Sequence, residues 1–282
     1  MKSGLAVQDQ LKLSVHYDYE FLSDPHYGSR SIPNVNRERT DNATTTLFAS
    51  LGVTEHIGLA LAVPIRSVTN EKVLLRGQNP NQYEGGKYVR HASGLGDIVA
   101  MLNYAVPLAA GFPGVNFGVG LKLANGSVDA KDRYNERFAD NLQIGSGSVD
   151  PVFALNVHHR FETISVTAGV FTRITSRQNI YGYKYGNELH ASLSLEYGGE
   201  GWLYGGVSLK NLITSRDRYQ FGQITRERGG KWMYLSPELG VNVLDNLSIE
   251  FHLPVVVFQN VNESQLTSDY LIELSTSYAF SL

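Results

Sequence analysis

The chain has 282 residues, no cysteine and a formal net charge of −3, with a pI near 6.2. Its length fits one large all-β domain or two smaller ones. The missing thiols exclude disulfides, thiolate metal sites and cysteine nucleophiles, and the charge balance leaves no footprint for a nucleic acid. The longest uninterrupted apolar run, Ile57–Ile65, is nine residues, well short of the ~18–20 that a membrane helix needs. A mean hydropathy of −0.18 does not exclude a membrane barrel, because apolar and polar residues alternate along its strands and cancel in the average. The opening MKSGLAVQDQ has no apolar core adequate for a signal peptide, so the sequence is read as a mature form.

Period-two alternation starts at Leu11–Leu22, where Leu11, Leu13, Val15, Tyr17, Tyr19 and Phe21 face one way and Lys12, Ser14, His16, Asp18 and Glu20 the other. After a polar loop, roughly 23–41, come Asn42–Val53 and Gly58–Val68, hinged at Thr54–Ile57. A second loop, about 69–93, leads to Asp97–Val106 and Val115–Ala124, which are joined by a Gly/Pro-rich turn. A third loop, about 127–147, precedes Val149–Arg160 and Thr163–Ile174, separated by Phe161-Glu162. The tyrosine-rich SRQNIYGYKYGN leads to Glu188–Tyr197 and Trp202–Leu212, and a charged loop, about 214–230, leads to Trp232–Val243. Asp245-Asn246 turns the chain into Leu247–Phe258, and Tyr270–Leu282 closes it.

Twelve strands with connections alternating between short and long predict an antiparallel up-and-down transmembrane β-barrel. Its short turns would lie in the periplasm and its long loops outside. A β-sandwich also alternates, but runs of about ten residues match a tilted membrane strand. Aromatic residues also fall toward both ends, with Tyr17, Tyr19 and Phe21 at one and Tyr104, Tyr197, Tyr278 and Phe280 at the other. The whole of 1–282 is read as one domain, integral to a bacterial outer membrane and surrounded by its lipid.

Three motifs carry a family likeness: Gly94-Leu95-Gly96-Asp97, Leu121-Lys122-Leu123-Ala124-Asn125-Gly126 and Gly145-Ser146-Gly147-Ser148-Val149-Asp150. With Leu253-Pro254-Val255, they resemble a family of outer-membrane proteins named after the meta-cleavage pathway of phenol degradation. The likeness is clearest over about 94–160, and Ala124-Asn125-Gly126 stands where members typically carry Pro-Thr-Gly. It implies an outer-membrane barrel for uptake of small, often aromatic or hydrophobic, compounds. The closing strand resembles the signal read by the outer-membrane assembly machinery, with Leu282 where an aromatic residue is usual.

If the apolar face meets lipid, alternation sends the ionisable residues inward. The acids are Asp18, Glu20, Asp97, Asp150, Glu188, Glu196, Glu238, Glu250 and Glu273, and the bases are Lys12, Arg66, Lys122, Arg160, Arg173 and Lys210. Facing hydrocarbon, each charge would cost ~2–4 kcal/mol near the midplane, so their agreement on one face supports the register. Two readings of these charges stand: opposed walls that orient solutes by their field, or ion pairs that plug the lumen.

His16, His158, His190 and His252 also point inward, without metal-ligand spacing, so neither metal nor cofactor is expected. The glycine motifs open strands, whereas phosphate-cradling loops open helices. Twelve-stranded phospholipases and deacylases place a nucleophile and base at one rim, and no motif resembles theirs, so no catalytic residue is expected. The loop aromatics Tyr83, Tyr88, Tyr181, Tyr183 and Tyr185 suit either a ligand or protein partner, or packing over the mouth. The expectation is a passive channel for small molecules, with a plugged, partner-binding barrel as the alternative.

Overall fold

A computed structural model describes residues 8–74, 86–109, 111–132, 134–198 and 201–282. The strands, in order, are β1 (Gln10–Tyr27), β2 (Arg30–Ser31), β3 (Arg39–Gly52), β4 (Ile57–Leu74) and β5 (Gly86–Leu95). Then come β6 (Val99–Ala105), β7 (Gly114–Lys122), β8 (Asp150–Phe161), β9 (Ile164–Arg173) and β10 (Glu188–Tyr197). The last are β11 (Leu203–Thr214), β12 (Gly230–Leu244), β13 (Leu247–His252), β14 (Val255–Val261) and β15 (Ser264–Ser281).

Neighbours pair antiparallel from β11 back through β1 to β15, β13 and β12, and β11 also pairs β12, which closes the sheet. The wall has twelve staves. β5 with β6 and β13 with β14 each form one stave in two pieces, and β2 is a two-residue addition beside β1.

The outward face carries exposed Leu13, Val15, Leu61, Val119, Leu193 and Leu239, while inward Ser14, Thr46, Ser208, Ser236 and Ser275 are buried. This inverts a water-soluble fold and suits a closed sheet set in hydrocarbon. The apolar face is continuous across strands because the register sets Leu13 opposite Tyr278 of β15, and Tyr17 opposite Leu274.

The wall is uneven. β1, β4 and β15 run 18 residues each, whereas β7 runs 9 and β9 and β10 run 10. The staves are level at the periplasmic turns, so the surplus projects outward. Residues 23–27, 69–74, 86–93 and 264–269, read from sequence as loop, are therefore largely strand. The expected long connection at 259–269 shrinks to Asn262-Glu263, with Glu263 at φ +56°. Beyond the lipid the outward face meets water and need not be apolar, so the backbone ladder continues after the alternation has faded.

Each two-piece stave breaks the wall. At Gly96-Asp97-Ile98 the chain stays near β4 through Gly96 N donating to Pro64 O at 2.8 Å. Above this break β5 pairs with β4 alone, among the described residues. At Leu253-Pro254, Leu253 N donates to Pro237 O of β12 at 3.1 Å, and Pro254 has no N–H to offer β15. Above it β14 pairs only with β12, and β15 beyond Glu273 pairs only with β1, among the described residues.

The third outer loop turns into the barrel. Its Phe138, Leu142 and Ile144 pack with Val68 of β4 and Ala92 of β5 in one buried apolar cluster.

Candidate functional site

The three family-like motifs meet at one point on the inner wall. Asp97 lies in the break between β5 and β6, where irregular backbone frees its carboxylate to gather donors. Its Oδ2 accepts from Lys122 Nζ at 2.8 Å, Ser146 N at 2.9 Å and Ser146 Oγ at 2.6 Å. Its Oδ1 accepts from Gly126 N at 3.0 Å. Gly126 and Gly145 touch backbone to backbone: a Cβ on Gly145 would fall 2.5 Å from Gly126 Cα, so both positions require glycine.

Lys122 Nζ also reaches Asp150 Oδ2 at 3.0 Å and donates to Ser148 O at 2.8 Å. From Asp150 the charges continue through Arg173 at 3.9 Å to Glu188, which Arg173 Nη2 meets at 2.6 Å, and the His190 ring lies 3.7 Å from Glu188. This ribbon crosses β7, β8, β9 and β10, and Asp150 is wholly buried within it. Ionised groups hidden this deeply persist only when paired and hydrogen-bonded.

Asp97 and Lys122 hold the end of the third loop at Ser146, and further bonds fix the loop above it. Arg66 Nη1 donates to Ile144 O at 3.1 Å, and Gln143, 2% exposed, ties Ala130 and Phe138 through three hydrogen bonds. Sequence reasoning missed Gln143, Ser146 and Ser148 as pairing groups. The Gly-Ser run was the only signal for the two serines, and it reads equally well as a turn.

A second constellation lies toward the periplasmic end. Lys210 Nζ of β11 meets Glu273 Oε2 of β15 at 2.5 Å, reaching past β12 and β13 across the interior. His252 lies 3.2 Å from Glu238 and 3.5 Å from Glu250. Glu196, Tyr204, Glu238, Glu250 and His252 line one tight crevice. Tyr204, which the inward charges alone did not reveal, lies over Gly240 and donates from its hydroxyl to Glu250 at 2.7 Å. Among the described residues no group of three or more His, Asp or Glu is placed to hold a metal ion.

The remaining residues scatter. Glu20 accepts from Asn42 at 3.1 Å and from the Ser268 hydroxyl. Asp18 is exposed, opposite Glu273 in the ladder. His16 meets the Phe48 ring edge at 4.6 Å, and Lys12 sits near the periplasmic end of β1. His158 and Arg160 are exposed at the periplasmic end of β8.

Tyr181, Tyr183 and Tyr185 lie in the fourth outer loop, between β9 and β10, as expected of loop residues. Tyr88 is not in a loop: it is buried in β5 and its hydroxyl donates to Asp132, because β5 extends beyond the lipid. Tyr181 stacks under Arg137 at 4.0 Å and donates to Asp129 at 2.6 Å. Tyr185 donates to Asp140 O at 2.7 Å. Tyr183 is buried and donates to Asp217, whose carboxyl burial pushes above its ordinary value. Tyr83 lies outside the described residues.

No family model and no curated protein matches the chain. Among solved structures, an outer-membrane channel from Pseudomonas putida F1 superposes with a TM-score of 0.73 at 11% identity, covering 99% of each chain. The translocator domain of the autotransporter NalP from Neisseria meningitidis gives 0.48 at 8% identity, over 97% of this chain and 89% of that one. The toluene transporter TbuX of Ralstonia pickettii gives 0.46 at 10%, over 99% and 90%. The chain is an integral outer-membrane β-barrel with short periplasmic turns and long extracellular loops.

Proposed function

We propose that this barrel is a passive channel for small hydrophobic solutes, aromatic compounds among them. The observation that carries the reading is the seam above Leu253-Pro254, where β14 and β15 share no ladder. Its edges include Leu253, Val255, Val257 and Tyr270, all exposed. An apolar solute would cross between the outer lumen and the membrane there without desolvating a charged wall. Supporting it are the channel of the same fold and the likeness to the phenol-degradation family. The inward charges act by positioning and electrostatics, with no chemical turnover.

The absence of cysteine allows a direct test. Extending the register of β13 and β15 would set Val255 opposite Tyr270. In the Val255→Cys/Tyr270→Cys protein, a bismaleimide bridge should cut entry of naphthalene into vesicles several-fold relative to either single cysteine. Unchanged entry after bridging would sink the lateral route.

A second reading, a shut barrel whose loops bind a partner, is favoured by the Lys210–Glu273 pair across the interior. It predicts a folded protein with neither conductance in planar bilayers nor solute entry.

A further inference from the structure

The fourth and fifth outer loops form a small sheet of their own. Lys184 and Arg218 exchange N–H···O bonds, both at 2.8 Å, and Arg218 bridges in turn to Ile224. Tyr219 N donates to Gln223 O at 2.7 Å and Thr225 N to Asp217 O at 2.9 Å, which fixes this register. Alternation gives the sheet two unlike faces. Tyr183, Asp217 and Tyr219 share the face packed toward the third loop, with Tyr183 and Tyr219 rings 5.0 Å apart.

Lys184, Arg218 and Ile224 share the opposite face, and Arg216 and Arg226 follow the same alternation on either side. The three arginines are exposed, and none of the four cations has an ion pair with a carboxylate among the described residues. Like charges directly opposite in a ladder repel, so this face is built for an anion with more than one charge. The outer extensions of β4 and β5 are the contrast: Glu71 there pairs with Arg39 at 3.1 Å and Lys87 at 2.7 Å, and Arg90 pairs with Glu38 at 3.6 Å.

We infer that this face binds a phosphorylated glycolipid of the outer leaflet. A free anion would account for the charges alone. Ile224, 55% exposed among the cations, adds the apolar contact that an amphiphile offers. The sheet also rises from the short wall of β9, β10 and β11, where little strand separates it from the lipid. Arginine forks suit phosphate oxygens and hold them in two places at once.

The test uses the full chain, purified in detergent and titrated with diphosphoryl lipid A while retained lipid is read by native mass spectrometry. Arg216→Gln/Arg218→Gln/Arg226→Gln should weaken binding about tenfold or more, and Lys184→Gln alone about threefold. Lipid A stripped of both phosphates should bind the native chain as weakly as diphosphoryl lipid A binds the triple variant. Retained heat-modifiable mobility shows that the variants fold. Should the triple variant fail to fold, Lys184→Gln carries the same comparison. Equal binding by native and variant chains would overturn the assignment. So would displacement of the lipid by an equal concentration of inorganic pyrophosphate, which would mark a site for soluble anions.

Discussion

Among the described residues, both two-piece staves leave a strand edge unpaired on the outer side of the barrel, yet their surroundings differ. At Gly96-Asp97-Ile98 a carboxylate sits in the break itself and recruits Lys122, Ser146 and Gly126, while Phe138, Leu142 and Ile144 cover the inner side of β4 and β5. At Leu253-Pro254 a proline removes the donor. Side chains inside the wall bridge the region: His26 of β1 meets Gln259 of β14 at 2.8 Å and Thr267 of β15 at 3.0 Å. The first interruption is thus backed by a loop that takes up its polar groups, and the second by side chains of β1, β14 and β15.

Breaking the sealed side should have the largest effect. Lys122→Met removes the cation shared by Asp97 and Asp150 and leaves Asp150 with Arg173 alone as its cation, at 3.9 Å, a loss of about 3–5 kcal/mol for a broken buried pair. The expected outcome is a lower midpoint of urea unfolding together with higher ionic conductance in a planar bilayer; an unchanged conductance would show that the ribbon does not hold the loop. Phe138→Ala removes the largest side chain of the loop's apolar cluster, at about 3 kcal/mol. Limited proteolysis within residues 134–145 should then accelerate while the barrel keeps its heat-modifiable mobility.

On the unsealed side, Pro254→Ala restores an N–H and lets the ladder of β13 continue upward. Stability should change by less than about 1 kcal/mol, while naphthalene entry should fall several-fold; faster entry would contradict the seam. The smallest effect concerns pH in the fifth loop. Burial raises the Asp217 carboxyl, so the folded loop holds that proton more tightly than the unfolded chain does. Its stabilisation is complete below the ordinary carboxylate value and is lost as pH rises through the raised one. Hydrogen exchange over residues 214–230 should therefore quicken along that rise beyond its intrinsic pH dependence, and Asp217→Asn should remove the excess.

Much of the wall was legible in the sequence. Glu188–Tyr197 emerges with the bounds that its alternation marks, because that stave lies within the lipid, where one face must be apolar. The outer ends of β1, β4 and β15, residues 23–27, 69–74 and 264–269, were not legible, since water on their outward face removes the period-two constraint. Leu247–Phe258 reads as one strand because Val255 and Val257 keep the pattern going, although the backbone breaks at Pro254. For the site, inward-facing charges could be named from parity, but partners such as Lys122 with Asp97 and Asp150 depend on how far the third loop folds inward. That depth is set by Phe138, Leu142 and Ile144 finding Val68 and Ala92, a contact between segments far apart along the chain.

The ladder between β1 and β15 runs from Gln10 opposite Ser281 to Tyr27 opposite Ser264. It joins the two ends of the chain, so nothing local can nucleate it, and its loop-closure entropy is near the largest this chain can incur. Hairpins such as β8–β9 can zip early, whereas this seam waits until β15 has been delivered. The late step then gains the long run of backbone bonds that makes it hard to reverse. Such a barrel should accumulate, when assembly stalls, as an open curved sheet with its first strand's edge bare, the form on which an assembly factor would have to act.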